Sequence, residues 1–500
     1  MPIFVIFLFA VLCAPAPWPA PPFGVGPAGS AALALAAVAV PLTAAFALRF
    51  WAIRALRRDP ARHLAVEHAY ARGRRLLVFL NFGAAVLAVA GLGWGHTVRT
   101  TVLVEHNAQR ILAPFAELLV PLPYFLILFG CWLTHYDAER TLHRATAFGA
   151  TDRPFWSRAG YVFQHLRQLA LLVGLPVGLF VTQQTLMRFA PESTQADWYQ
   201  FGSLAIAPVV LILFPLLIKP ILGLKKLPPG PERDRFEALA KRLNFKCRDF
   251  LLWPTHGSVL NAMISGVVPR TRYVIFTDRI LDELPADELD GVLGHEIGHA
   301  KHGHLWYYLA FLMLSIMALT AGFLFLGEQL DAAGVTIPAE YAGWMELAPV
   351  LVAFAYLFVV FGFLSRRCER QADVYGCKAV SCGNPNCAGH EADTVFPPGG
   401  KNLCPTGIRT FARGLDRVGG TDPHAKRGPL RAIFAWVRAW QHFTMPRRVA
   451  FLMSLIDDPR REPRFQRRVR VVRWGLILGL VAALIGLGGA VGWQELAQAM

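Results

Sequence analysis

A chain of 500 residues that is 54% hydrophobic, with 13 Trp and a mean hydropathy of +0.39, lies far from the composition of an ordinary soluble domain. Its net charge of +16 does not gather into a basic patch interleaved with aromatics, which excludes a nucleic-acid partner. The expected class is mainly α: a polytopic helical membrane protein whose first partner is the lipid bilayer.

The opening Met1–Ala14 is apolar but lacks a basic leading region and runs into the Pro-rich Ala14–Pro27. It reads equally as a cleaved signal, a short extra span or a membrane-dipping segment. Crossing a bilayer takes roughly 20 helical residues. Runs of that kind occur at Ala31–Phe50, Leu76–Gly95, Leu112–Leu133, Leu169–Ala190, Phe201–Leu224, Leu305–Gly327, Leu347–Leu364 and Trp474–Trp493, so about 8 spans are expected. Arg49, Arg54, Arg57, Arg58, Arg62, Arg72, Arg74 and Arg75 crowd the first connection, and Arg140, Arg144, Arg153, Arg158 and Arg167 the third. Pro191–Gln200 and Glu328–Glu346 carry acidic residues without Lys or Arg. By the positive-inside rule the basic connections are cytoplasmic. That phase puts Lys225–His304 and Ser365–Arg473 inside and Gln494–Met500 outside.

Within the first of these inside segments, Asn261–Val268 and Arg272–Thr277 are rich in β-branched and aromatic residues and are joined by Pro269-Arg270-Thr271, which predicts two strands. Pro285 opens a helix with Asp287 and Glu288 in its first turn, where acidic groups suit the dipole. That helix carries His295-Glu296-Ile297-Gly298-His299. Residues four apart share a helix face, so two imidazoles lie together with a carboxylate beside the first. Neutral imidazole binds Zn²⁺, and two such ligands leave room for a third and for a water that Glu296 could deprotonate. Two histidines also fall four apart in ordinary amphipathic helices, so a third ligand decides the matter.

His299 stands six residues before the span that begins at Leu305, about 9 Å along a continuous helix, at the membrane surface. The span Leu347–Leu364 returns to the same side, and Glu369 follows it by five residues, about 7.5 Å. Glu369 therefore reaches the depth of the two histidines and is the expected third ligand. Asp373, one turn on, is placed to accept the second N–H of a ligating histidine. His302 and His304 read as interfacial residues ahead of the next span.

Five of the 8 Cys lie in the final inside segment, at Cys368, Cys377, Cys382, Cys387 and Cys404. Cys377 continues the Glu369–Asp373 face and reads as a small core residue. The Gly-, Pro- and Asn-rich stretch from Cys382 to Cys404 reads as an inserted loop. Cys382, Cys387, His390 and Cys404 could hold a second, structural zinc, although the gap between the first two is wider than usual; the alternative is thiols in a loop.

His295-Glu296-x-x-His299 followed after two spans by Glu369-x-x-x-Asp373 resembles the integral-membrane gluzincin peptidases, the group of the CAAX prenyl proteases and HtpX-type proteases. The resemblance extends upstream through Ser258–Gly266, Tyr273–Leu281 and Leu284–Leu289, covering about Lys219–Gly376. It implies a cytoplasmic zincin-like catalytic domain with a small β-sheet, and a substrate-binding strand at Asn261 and Ala262. Five spans before that domain look more like the multi-span CAAX branch than the HtpX branch. The family commonly has a His-Pro before an Arg near its end; here the segment reads Thr444-Met445-Pro446-Arg447-Arg448, with Met445 in place of His and His442 three residues early. That departure weakens any expectation of prenyl-cysteine specificity.

The chain thus divides into an apolar and Pro-rich segment (1–27), a five-span membrane domain (28–224), a catalytic segment (225–304), a two-span hairpin (305–364), a third-ligand helix (365–380), a Cys-rich inserted loop (381–405), a C-terminal inside region (406–473) and a last span with a short outside tail (474–500). The expected protein is a multi-pass protein of a bacterial inner (plasma) membrane, its site on the cytoplasmic side. One catalytic Zn²⁺ is held by His295, His299 and Glu369, with Glu296 as base, and the expected activity is cleavage of peptide bonds in membrane-associated, lipidated or misfolded proteins. A non-proteolytic scaffold or chaperone with a structural zinc is the alternative, and it gives no use to Glu296. Oligomeric state is left open.

Overall fold

The computed structural model describes residues 19–105, 117–146, 155–335 with scattered gaps between 175 and 205, 349–382 save 350 and 354, then 384, 387, 403–419 and 444–499. The chain forms two compact units, residues 1–194 with 337–350 and residues 195–336 with 351–500. Segment 195–224, assigned from sequence to the first membrane domain, clusters with the second unit.

The first unit is helical. Its longer helices are α1 (Pro27–Arg58), α2 (His63–Val86), α3 (Leu122–Thr146) and α4 (Arg158–Leu169). Val38, Ala45, Leu77, Ala85 and Ile127 meet in one buried cluster, small residues on α1 and α2 letting the helices close on α3. Arg49 and Arg158 both reach Asp137, and Tyr70 Oη lies 2.8 Å from His135 Nδ1.

The second unit holds α5 (Ile206–Leu222), α6 (Pro231–Arg242), α7 (Asp278–Glu283), α8 (Ala286–Lys301), α9 (His304–Ala332), α10 (Gly362–Ala379), α11 (Pro405–Gly419), α12 (Met445–Asp457) and α13 (Arg461–Val491). Four strands, β1 (Lys225–Lys226), β2 (Asp249–Trp253), β3 (Ala262–Ser265) and β4 (Tyr273–Thr277), form one sheet in the order β1-β2-β4-β3. β2 and β4 run parallel, and β3 lies antiparallel to β4 with Ile264 opposite Val274. β4 is buried throughout, as its Tyr-Val-Ile-Phe-Thr run requires of a central strand. Phe236 of α6 stacks on Phe276 at 4.6 Å, and the same core takes Leu289, Leu293 and Ile297 from α8. The helix that carries the histidines is thereby fixed to the sheet by its apolar face.

Both strands are shorter than the sequence runs that mark them. β3 ends at Ser265 because Gly266 adopts φ +107°, leaving extended geometry before Pro269. Five helical stretches are long and apolar enough to cross a bilayer: Pro27–Arg58, Pro60–Gly91, His304–Ala332, Leu351–Ala379 and Arg461–Val491. They make the chain an integral membrane protein. Of the other three expected spans, Phe201–Leu224 contains the shorter apolar helix Pro208–Leu222, while parts of Leu112–Leu133 and Leu169–Ala190 lie outside the described residues.

Candidate active site

α8 and α10 pack closely enough to bring their polar faces together, and glycine makes that distance possible. A Cβ on Gly298 would come within 3.1 Å of the Ala372 backbone and 2.9 Å of Tyr375 Cβ, and one on Gly294 would strike Ala379. The close contact sets Glu369 and Asp373 directly across from His295 and His299.

The three expected ligands converge. His295 Nε2 and His299 Nε2 are 3.2 Å apart, Glu369 Oε2 is 3.9 Å from the first, and Glu369 Oε1 is 3.6 Å from the second. Ligands on a tetrahedral zinc at 2.0 to 2.1 Å are separated by about 3.3 Å, so small side-chain movements bring these three groups to the spacing such an ion requires. The donor set of two imidazoles and a carboxylate is borderline-soft and suits zinc. Burial and the neighbouring His295 push the His299 imidazole down to about 4, which keeps its ring neutral and available as a ligand.

Glu296 stays out of the ligand set. Its Oε2 accepts a hydrogen bond from Ile264 N at 3.0 Å, and burial pushes its carboxyl up to about 7, the range of a usable proton acceptor. The donor is informative. Asn261 O accepts from Thr277 N at 3.0 Å and Asn261 N donates to Thr277 Oγ1 at 3.1 Å, so Asn261 spends its main chain on β4. Antiparallel alternation then turns the main-chain groups of Ala262 and Ile264 to the free edge of β3. Asn261 presents an exposed side chain, whereas Ala262 is buried, and only its main chain is open to a partner strand. Sequence reading centred this strand on Asn261; the residue whose N–H meets Glu296 is Ile264.

The outer contacts extend further than Asp373. Asp373, fully buried, places Oδ1 3.0 Å from His295 Nδ1, leaving Nε2 of that ring to face the ligand cluster. Arg448 of α12 donates from Nε to Asp373 Oδ2 at 2.9 Å, from Nη2 to Asp373 Oδ1, and places Nη1 3.4 Å from Glu369 Oε2. One guanidinium therefore fixes both acidic residues. The sequence offered Arg448 only as part of the segment where Met445 stands for the family's histidine.

His304 reads from sequence as an interfacial residue because it lies in the polar collar before a span, but Gly303 adopts φ +63° and ends α8 ahead of it. The chain turns, and His304 Nδ1 comes to 3.0 Å from His299 Nδ1, fully buried. His304 Nε2 lies 3.0 Å from Gln371 Oε1, and Gln371 Nε2 donates to Gln466 Oε1 at 2.6 Å. With Gln371 accepting, His304 Nε2 carries a proton and Nδ1 accepts from His299, so His299 presents Nε2 to the ligand cluster.

Cys382, Cys387 and Cys404 also come together, whereas His390 lies outside the described residues. Cys377 is fully buried in a core with Val374, Ile408 and Phe411.

Comparison with known proteins matches this region. Residues 233–392 match the model of Peptidase family M48. A CAAX prenyl protease 1 homolog of Arabidopsis thaliana is 28% identical over 180 residues, 34% of this chain and 42% of that protein. A protease HtpX homolog of Aeropyrum pernix is 30% identical over 161 residues, 31% of this chain and 50% of that protein. The chain thus spans half or less of the length of either relative. The crystal structure of S. mikatae Ste24p has a similar fold, with a TM-score of 0.51 at 16% identity over 85% of this chain and 98% of that one. Residues 233–392 thus resemble peptidase family M48, and about a third of the chain is similar to CAAX prenyl protease 1 and HtpX homologs.

Proposed function

We propose that this protein is a membrane zinc endopeptidase that cleaves membrane-associated peptides or proteins at the cytoplasmic face. The observation that carries the proposal is the position of Glu296: adjacent to the His295, His299 and Glu369 cluster, outside it, and hydrogen-bonded to the free edge of β3. His295, His299 and Glu369 would hold the ion, and zinc bound there supplies Lewis acidity that makes water more acidic and a peptide carbonyl more electrophilic. A substrate strand adds to β3 through the main chain of Ala262 and the carbonyl of Ile264, whose N–H is held by Glu296, and main-chain pairing gives affinity with little dependence on sequence. Glu296 takes a proton from the attacking water and returns it to the leaving amine. Asp373, Arg448 and the His304-Gln371-Gln466 chain hold the ligand rings and carboxylate in place throughout.

The basic connections support a cytoplasmic site, and Met445 in place of histidine argues for a substrate range broader than the prenylated peptides of the CAAX relatives. The purified full chain, offered membrane-tethered peptides, should lose cleavage on chelation and regain it with zinc; cleavage that persists in excess chelator contradicts the reading. Proteins retained by Glu296→Gln in native membranes, compared with wild type, identify the substrates. Short lipidated peptides would indicate processing, and polytopic proteins quality control.

A further inference from the structure

The active site does not use the second cluster in this unit, and its chemistry is different. Cys382 lies three residues past the end of α10, and Cys404 immediately precedes α11, so the two mark the neck of the inserted loop. Cys387 folds back to them: its N–H donates to Asn384 O at 3.1 Å and its Sγ lies 3.7 Å from Thr406 Oγ1. The three sulfurs lie within 4.8 Å of one another. Sulfurs on a tetrahedral zinc at about 2.3 Å are separated by about 3.8 Å, so small movements bring all three into coordination. A disulfide would take two of them and give no account of the third.

Hydrogen bonds fix the sulfur donors at the neck. Gly407 N, in the first turn of α11, donates to Cys404 Sγ at 3.3 Å, and the helix N-terminus adds a positive potential at that sulfur. Ser381 fixes the neck by accepting from Cys404 N at 3.1 Å and donating to Cys377 O at 2.7 Å. Cys404 is 1% exposed, which places one ligand in the protein interior and the other two toward its surface.

We propose that Cys382, Cys387 and Cys404 form a second metal site, for zinc or another thiophilic divalent ion, with water or one further donor completing the tetrahedron. The ion ties the end of α10, which carries Glu369 and Asp373, to the start of α11, whose Phe411 stacks on His295 at 5.9 Å. The site is structural: it closes the loop at its neck and steadies the two helices that flank the active site.

Metal analysis of the full chain in detergent tests this. Wild type should carry two zinc ions per chain, the triple variant Cys382→Ser/Cys387→Ser/Cys404→Ser one, and His299→Ala one. Cobalt-loaded His299→Ala should keep the near-ultraviolet sulfur-to-cobalt charge-transfer absorption, and the triple variant should lack it. The spectrum of His299→Ala leaves the cysteines intact, so it decides the matter even if the triple variant does not fold. A zinc content that the triple variant leaves unchanged, no charge-transfer band in cobalt-loaded His299→Ala, or a disulfide between any two of the three overturns the proposal.

Discussion

Arg448 is buried against two carboxylates, Asp373 and Glu369, and no other cation touches Asp373 among the described residues. Replacing it with Met would leave that negative charge uncompensated in a dry site, which costs about 3–5 kcal/mol. Arg448→Met should therefore lower the thermal midpoint strongly, and Arg448→Lys should rescue little because a single ammonium cannot reproduce the two-pronged contact. An unchanged midpoint for Arg448→Met would refute this assignment. His304→Ala removes the partner that sets the His299 tautomer, and the expected loss is about 10–100-fold in zinc affinity, read by competition with a chelator. Unaltered zinc affinity would make His304 a packing residue only. Helical spacing made the His295–His299 and Glu369–Asp373 pairs legible, with Glu296 beside the first, but joining the two pairs took the matched depth of their spans and the family resemblance. Arg448 and His304 were not legible, since one arrives from a distant helix and the other depends on a turn that one glycine dictates.

At the scale of elements, the β3 edge and the contact between α8 and α10 define the site. β3 has β4 on one side, and Ile264 N–H faces Glu296 on the other. Proline is tolerated on an edge strand when the lost N–H points away from the ladder. Ile264→Pro should thus keep the fold and the bound zinc but reduce peptide cleavage, with the loss seen in kcat/KM and metal content unchanged. If cleavage stays at the wild-type level, the Ile264 N–H bond to Glu296 plays no part in the reaction. Residue composition predicted β3 and β4 but neither β1 nor β2, and which residues of β3 face outward follows from the ladder register, which the sequence does not encode. The Gly294 and Gly298 contacts were likewise unreadable, because a small residue signals close approach only when its neighbour is known.

For the whole molecule, hydropathy and the sorting of arginines predicted a polytopic membrane protein, and five helices of spanning length are present among the described residues. The sidedness rests on charge alone, and the substrate class depends on the contents of the site rather than its architecture. The membrane helices and the site are linked by sequence continuity: α9 starts at His304, and the span Leu351–Ala379 ends in the helix that carries Glu369. The proposed chemistry depends most directly on Glu296 as the proton carrier. With the full chain in lipid vesicles and a membrane-tethered peptide, Glu296→Gln should retain the zinc content of wild type while losing about 10²–10⁴-fold of the cleavage rate. A Glu296→Gln variant that cleaves at the wild-type rate would contradict it.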